Sequence, residues 1–282
     1  MKPESYPPPR PSSVSLVTTH ISWVFLTDND AWKLKRPVDF GFLDYTTPEK
    51  RRHFCHEEVR LNRRLAPDVY LGVVPVRLDP DGHSFVGNGP IVDYAVRMRR
   101  LPEACSADSL LRRGALTRDH LDRIVHALLR FYAQGRKAAD SGLRVNLLEN
   151  IEQTLPFAGR LIDREAFETL RDWQLAALDR HAPLLRERVA AGRVRDGHGD
   201  LRLEHVTFEN DDPIIIDCIE FNERFRVGDV ANDVAFLAME LHAKGRPDLG
   251  EWLLARFAEE SQDYDLYGLA GLYLSYRAWV RA

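Results

Sequence analysis

Two hydrophobic rhythms divide the chain. Over roughly the first hundred residues, short β-branched and aromatic runs fall at positions 14–17, 23–26, 31–35, 73–76, 84–86 and 94–98. Such runs, bounded by polar turn residues like those at 28–30, predict strands. One helix is predicted among them. Thr47 can cap it, Pro48 suits its first position, and Phe54, Leu61 and Leu65 fall on one face. After about Leu101 the period becomes helical. Leu121, Ile124, Val125, Leu128 and Leu129 trace one amphipathic stripe, and Phe167, Leu170, Trp173 and Leu178 another. Further helices are predicted around 236–242 and 252–257. The main strand signal in this half is a hairpin, with runs at 206–208 and 214–216 about a turn at 210–213. The pattern predicts an α+β chain: a small β-rich lobe over 1–101 with one helix, then a larger, mainly helical lobe over 102–282.

Composition narrows the class. With 282 residues and 44% hydrophobic positions the chain can bury a sizeable core in two modest domains or one bilobal unit. A net charge of −4 offers no basic field, so no nucleic-acid partner is expected. No apolar run approaches the roughly 18 residues of a membrane span, so no membrane association is expected either. Residues 1–13 are Pro-rich and lack an apolar signal core, which predicts a flexible lead-in and a cytoplasmic location. Cys55, Cys105 and Cys218 have no metal-type spacing and read as free thiols.

The candidate chemistry lies around the hairpin. Asp200 precedes its first strand and Asp217 follows its second, after Ile214-Ile-Ile216. A hairpin returns its ends to one place, so both carboxylates are expected to face one site. One acid can accept a proton from a substrate hydroxyl while the other holds a divalent ion on a phosphate chain. That combination points to phosphoryl transfer.

The motifs resemble a family. His198-Gly-Asp200, then Ile216-Asp217, then Gly228-Asp-Val-Ala-Asn-Asp-Val-Ala235 occur in the order of the aminoglycoside phosphotransferase family, small-molecule kinases with a protein-kinase-like fold. Thr19-His-Ile-Ser-Trp-Val-Phe-Leu26, Pro37-Val-Asp-Phe-Gly-Phe42 and Asp217-Cys-Ile-Glu-Phe-Asn222 are similar to an uncharacterised bacterial branch, often joined to a C-terminal P-loop kinase domain. The sequence has no G-x-x-x-x-G-K-[ST] motif, so such a domain is expected as a possible partner rather than a part of this chain. The resemblance implies a bilobal fold, ATP or GTP with Mg²⁺ (or Mn²⁺), and a small hydroxylated acceptor. It implies Asp200 as base, Asp217 as metal ligand, His198 as a brace of the catalytic loop and Asp233 as its tie. It makes Met98 the end of the strand entering a hinge, where backbone groups from Arg99 to Leu101 would pair with the base.

The resemblance also asks the small lobe for a lysine on the phosphates and a glutamate that fixes it. Glu58 shares the helix face of Phe54, Leu61 and Leu65, whereas Glu57 points aside. Lys33 and Lys35 share one strand face by period-two alternation. Lys35 is preferred because Trp32-Lys-Leu-Lys35-Arg-Pro37 resembles the family strand. Glu220 is open between a structural ion pair and a metal or substrate contact. Asp39-Phe-Gly41 spells a kinase metal motif in the wrong chain order and reads as a turn.

Two departures stand out. The family's metal-binding asparagine is replaced by His205, a poorer donor for Mg²⁺ that could take another ion, bond to the base, or leave a single metal site. The loop 18–22, where the phosphates would lie, has no glycine. These departures motivate a second reading, a pseudokinase-like nucleotide-binding or regulatory module. A third, a metal-dependent hydrolase, treats Asp196, His198, Asp200 and His205 as ligands for Zn²⁺ or Mn²⁺.

Overall fold

The computed structural model describes residues 1–281. The chain forms two compact units, Met1–Cys105 with Ile214–Asn222, and Ser106–Pro213 with Glu223–Ala282. The first unit therefore takes in Asp217 from far along the sequence, beyond the expected division near Leu101.

In the first unit, β1 (Ser15–Thr18), β2 (Ser22–Leu26), β3 (Asp30–Lys35), α1 (Pro48–Asn62), β4 (Tyr70–Asp79), β5 (Gly82–Ser84) and β6 (Ile91–Arg99) follow in order. The strands form one antiparallel sheet in the order β1-β2-β3-β6-β4-β5. Alternation along β3 sorts its residues. Ala31 faces the cluster with Cys55 and Val59 of α1, while Leu34 joins Val76 and Ala95. Trp32 stacks on Phe85 and meets the edge of Tyr6. The lead-in expected to be flexible is thus anchored at Tyr6, which is buried, and Phe85 donates its N–H to the Ser5 carbonyl. A buried aromatic outweighs the ordering cost that a Pro-rich segment otherwise avoids.

Thr47 caps α1 as expected, accepting from the Lys50 N–H. The buried face differs from the apolar pattern. It consists of Arg51, Cys55, Glu58, Val59 and Asn62, with Leu61, and Leu65 lies past the helix end. The Asp39-Phe-Gly41 segment is a turn, with the Gly41 N–H bonded to Asp39 Oδ1. Gly41 is required there by its φ of +78°, since the space around it is open.

The second unit carries α2 (Ala107–Arg112), α3 (Arg118–Gln134), α4 (Leu143–Thr154), α5 (Arg164–Arg180), α6 (Ala182–Ala190), β7 (Val194–Asp196) and β8 (Val206–Glu209). Next come β9 (Asp212–Ile215), within which the units divide, α7 (Glu223–Arg226), β10 (Val227–Asp229), α8 (Val230–Ala243), α9 (Pro247–Ser261) and α10 (Tyr267–Arg281). α8 is buried nearly all round and packs on α9 and α10. On α5 the expected stripe is wrong in part. Phe167 and Leu178 are buried, but Leu170 and Trp173 are exposed, and Gln174 takes the inner position by bonding to Ser275. The hairpin turn is tighter than expected. Asn210 and Asp211 alone make it, at φ 51° and 66°, the left-handed pair of a type I′ turn. Among the described residues no helix is long and apolar enough to cross a membrane.

Asp229 caps α8 and, with Asp263, takes Arg188 in a fully buried cluster at 2.5–2.8 Å, joined by the Tyr273 hydroxyl at 2.9 Å. Arg188→Ala would remove the cation that two buried carboxylates share, leaving Asp263 only the more distant Arg193 at 3.7 Å. We expect it to destabilise the protein by about 3–5 kcal/mol. The check is urea unfolding, and a loss under about 1 kcal/mol, as at exposed pairs, would contradict this account.

Candidate active site

Each unit holds one part of the candidate chemistry. In the first, β3 aims Lys33 and Lys35 at the face covered by α1, and both meet Glu58. Its Oε1 lies 2.9 Å from Lys33 Nζ and its Oε2 2.7 Å from Lys35 Nζ. Lys33 also reaches Asp217 Oδ1 at 2.5 Å. Lys35 pairs with Glu220, which accepts from the Tyr45 hydroxyl at 2.5 Å. The two lysines differ in depth: the Lys33 side chain is 12% exposed and that of Lys35 0%.

Electrostatics keep these groups charged. Burial opposes the ammonium of Lys35, but Glu220 and Glu58 outweigh it and raise its pKa. Burial likewise opposes Lys33, and Asp217 and Glu58 raise it well above the ordinary value. For Glu58 burial again resists charge, yet Lys33 and Lys35 hold its carboxyl below the usual range. Burial and the adjacent Glu220 push the Tyr45 hydroxyl up, so it remains a donor.

Asp217 adopts φ +67°, a left-handed conformation costing a non-glycine residue on the order of 1–2 kcal/mol. α1 and β4 hold it there. The Asp217 N–H donates to the Tyr70 hydroxyl at 3.1 Å, and the Cys218 N–H to Asn62 Oδ1 at 2.8 Å. Its side chain remains 40% exposed. At the far end of β6, Met98 is buried and Leu101 packs on the same apolar cluster as Val24, Ala31 and Ile216. The N–H groups of Arg99 and Arg100 donate to the carbonyls of Val69 and Asn29.

The loop 18–22 forms its turn without a left-handed residue. The Ser22 N–H bonds to Thr19 Oγ1, and Arg36 Nη1 donates to the carbonyls of Thr19 and His20 at 2.9 and 3.1 Å. The missing glycine therefore costs no backbone strain.

In the second unit the Asp200 loop is fastened by α8. Asp233 accepts the N–H of His198 at 2.7 Å and that of Gly199 at 2.9 Å. A Cβ on Gly197 would stand 2.4 Å from Asp233 Oδ2, so only glycine lets the chain come this close. Gly199, at φ +88°, turns the chain toward Asp200. His198 is wholly buried, and its Nδ1 accepts the Asp200 N–H at 3.2 Å. His205 Nδ1 lies 2.8 Å from the Asp200 carbonyl oxygen, a partner to which it can only donate. The Asp200 carboxylate is 31% exposed, 3.7 Å from His205 Nδ1 and 4.0 Å from Arg202.

Sequence reasoning missed Tyr45, Tyr70, Asn62 and Arg36. Tyr45 and Asn62 carry no motif, and their contacts come from the distant Ile214–Asn222 segment. For a divalent ion, the hard, accessible carboxylate of Asp217 fits. His205 fits poorly, since it offers imidazole nitrogen and its Nδ1 is already engaged. Among the described residues no three or more His, Cys, Asp or Glu side chains are grouped to hold a metal ion, including the set the hydrolase reading needs.

An antiparallel sheet with one helix, joined to a helical unit whose Asp loop is tied to the next helix, defines the protein-kinase-like fold. Solved structures agree. The GDP and kanamycin complex of APH(2")-IIia superposes with a TM-score of 0.58 at 15% identity, covering 98% of this chain and 87% of that one. A Plasmodium vivax ethanolamine kinase gives 0.52 at 9% identity over 95% and 74%. Residues 24–274 match the model of the phosphotransferase enzyme family, and the chain belongs to that family. Uncharacterized proteins of Mycobacterium tuberculosis and Mycobacterium bovis are 31% identical over 271 residues, 94% of this chain and 53% of theirs. The chain thus spans about half the length of the curated relatives it matches.

Proposed function

We propose that the protein is a kinase that uses ATP or GTP with Mg²⁺ to phosphorylate a hydroxyl group of a small molecule. The observation that carries this reading is the Lys33–Glu58–Asp217 set, a phosphate-ready cation held by a buried glutamate beside an accessible metal-type carboxylate. Lys33 is assigned to the phosphates in preference to Lys35, because it alone of the two keeps exposed surface. Val24, Ala31, Met98, Leu101 and Ile216 would sandwich the base. The N–H groups of Arg99 and Arg100 are already donated, so pairing with the base would fall to other backbone groups of the Arg99 to Leu101 stretch.

Asp217 would hold the ion, with His205 left to position the Asp200 carbonyl. Mg²⁺ bound there would neutralise charge on the phosphates. Asp200, on its fastened loop, would orient the acceptor hydroxyl and take its proton, with the loop's rigidity supplying alignment. The neighbours named for kanamycin and ethanolamine suit an acceptor bearing a hydroxyl, without choosing among such molecules.

The test is thermal unfolding with ATP or GTP and Mg²⁺ or Mn²⁺, followed by a nucleoside-diphosphate release screen over hydroxylated metabolites. Nucleotide with metal at about 100 times its Kd should stabilise the protein by roughly 2.7 kcal/mol. No stabilisation by any nucleotide–metal pair would overturn the reading. His205 in the place of the metal-binding asparagine favours the second reading, a nucleotide-binding regulatory module. Binding with no diphosphate release across the screen would establish that reading instead.

A further inference from the structure

We propose that Lys35, Glu220 and Tyr45 form a buried latch that positions Asp217 for its metal ion, so that Lys35 is a positioning residue rather than a phosphate contact. The inference rests on the assignment of Lys33 and Asp217 to phosphate and metal. A lysine ammonium has three N–H donors. Those of Lys35 are matched by three acceptors: Glu58 Oε2 at 2.7 Å, Glu220 Oε1, and the Tyr45 hydroxyl oxygen at 3.4 Å. Its Nζ also lies 4.9 Å from the centre of the Tyr45 ring. With no exposed surface and every donor matched, Lys35 has nothing to offer a phosphate.

What it holds is the segment Ile214–Asn222, which reaches the first unit from far along the chain. Ile214 and Ile216 secure one end by packing on the apolar cluster, and Asn222 Nδ2 donates to the Phe42 carbonyl at the other. Between them Asp217 sits in its left-handed conformation. Glu220, three residues on in sequence, ties the segment to β3 through a buried charge pair. Glu58 links the latch to the nucleotide side. The carboxylate that binds Lys35 through one oxygen binds Lys33 through the other. Movement of Lys35 would therefore disturb Asp217 through Glu220, while Lys33 keeps its own Glu58 oxygen, although Lys35 touches neither ion nor phosphate.

The experiment measures Mn²⁺ binding by electron paramagnetic resonance in the presence of a non-hydrolysable ATP analogue, and binding of that analogue without metal, on the full chain. Glu220→Gln and Lys35→Met should weaken Mn²⁺ by about 10–100-fold, as loss of a residue that orients a ligand does. Affinity for the analogue without metal should stay within about threefold, because Lys33 keeps Glu58. A single variant can leave a buried charge unpaired and unfold, so two others accompany it. The Lys35→Met/Glu220→Gln double variant removes both charges, and Tyr45→Phe keeps every charge. The double variant should fold and still bind Mn²⁺ weakly, and Tyr45→Phe should weaken it in the same sense. A folded double variant with wild-type Mn²⁺ affinity would overturn the latch. So would a Lys35→Met protein that loses metal-free nucleotide affinity as Lys33→Ala does. Absence of nucleotide and metal binding in the wild type would overturn the kinase reading itself, a different result from wild-type binding that the variants share.

Discussion

Replacing Asp200 with asparagine is expected to lower kcat by about 10²–10⁴-fold, the usual contribution of a positioned base, or about 4 kcal/mol of barrier at the midpoint. The fold should survive the change. The loop is fastened through backbone groups: the Asp200 N–H to His198, its carbonyl to His205, and the N–H groups of His198 and Gly199 to Asp233. The carboxylate itself makes only long contacts, 3.7 Å to His205 and 4.0 Å to Arg202. Asparagine can occupy the same volume but cannot take the proton of the acceptor hydroxyl. Nucleotide affinity should change less than about threefold, because Lys33, Glu58 and Asp217, the groups assigned to the nucleotide, are unaltered, and the Asp200 carboxylate contacts His205 and Arg202 instead. Single-turnover measurement with a verified acceptor separates the two effects. A rate within tenfold of wild type would remove Asp200 from its assigned role.

The parts of the site that were legible in the sequence are those fixed by short-range rules. Period-two alternation places Lys33 and Lys35 on one face, and a hairpin of β-branched runs delivers Asp217. The face of α1 was harder to read because its buried residues are largely polar. Arg51, Glu58 and Asn62 are inside because each finds partners there: Asp93 for Arg51, two lysines for Glu58, and the Cys218 N–H for Asn62. An apolar stripe cannot reveal such a face. The choice between Lys33 and Lys35 turned on depth, which depends on Glu220 and Tyr45. Periodicity in β3 carries no information about a residue far along the chain. The three-residue strands β7 and β10, which pair ahead of the Asp200 loop and of α8, are too short to show a period at all. The anchored Tyr6 shows the same limit from the other side, since composition marks a segment as costly to order without revealing that Trp32 and Phe85 receive it.

Asp217→Asn is expected to separate nucleotide binding from metal binding, with opposite signs in the two measurements. Asp217 is 40% exposed and lies 2.5 Å from Lys33 Nζ, so without metal its charge occupies part of the attraction that Lys33 could offer a phosphate. The amide removes that competition and the repulsion between two anions. Metal-free nucleotide affinity should therefore rise modestly, by about two- to fivefold for an exposed charge screened by solvent. Lys33 remains in place through Glu58, whose buried carboxylate is untouched, so the first unit should fold normally. The gain from Mg²⁺ should disappear, because a neutral amide oxygen is a far weaker partner than a carboxylate for a hard divalent ion. Turnover should fall at least about 10³-fold, the scale of removing a main source of charge stabilisation at a transferring phosphoryl group. Calorimetric titration of nucleotide with EDTA and with Mg²⁺ gives both signs on one sample. If Mg²⁺ strengthens nucleotide binding in the variant as much as in the wild type, Asp217 is not the metal ligand.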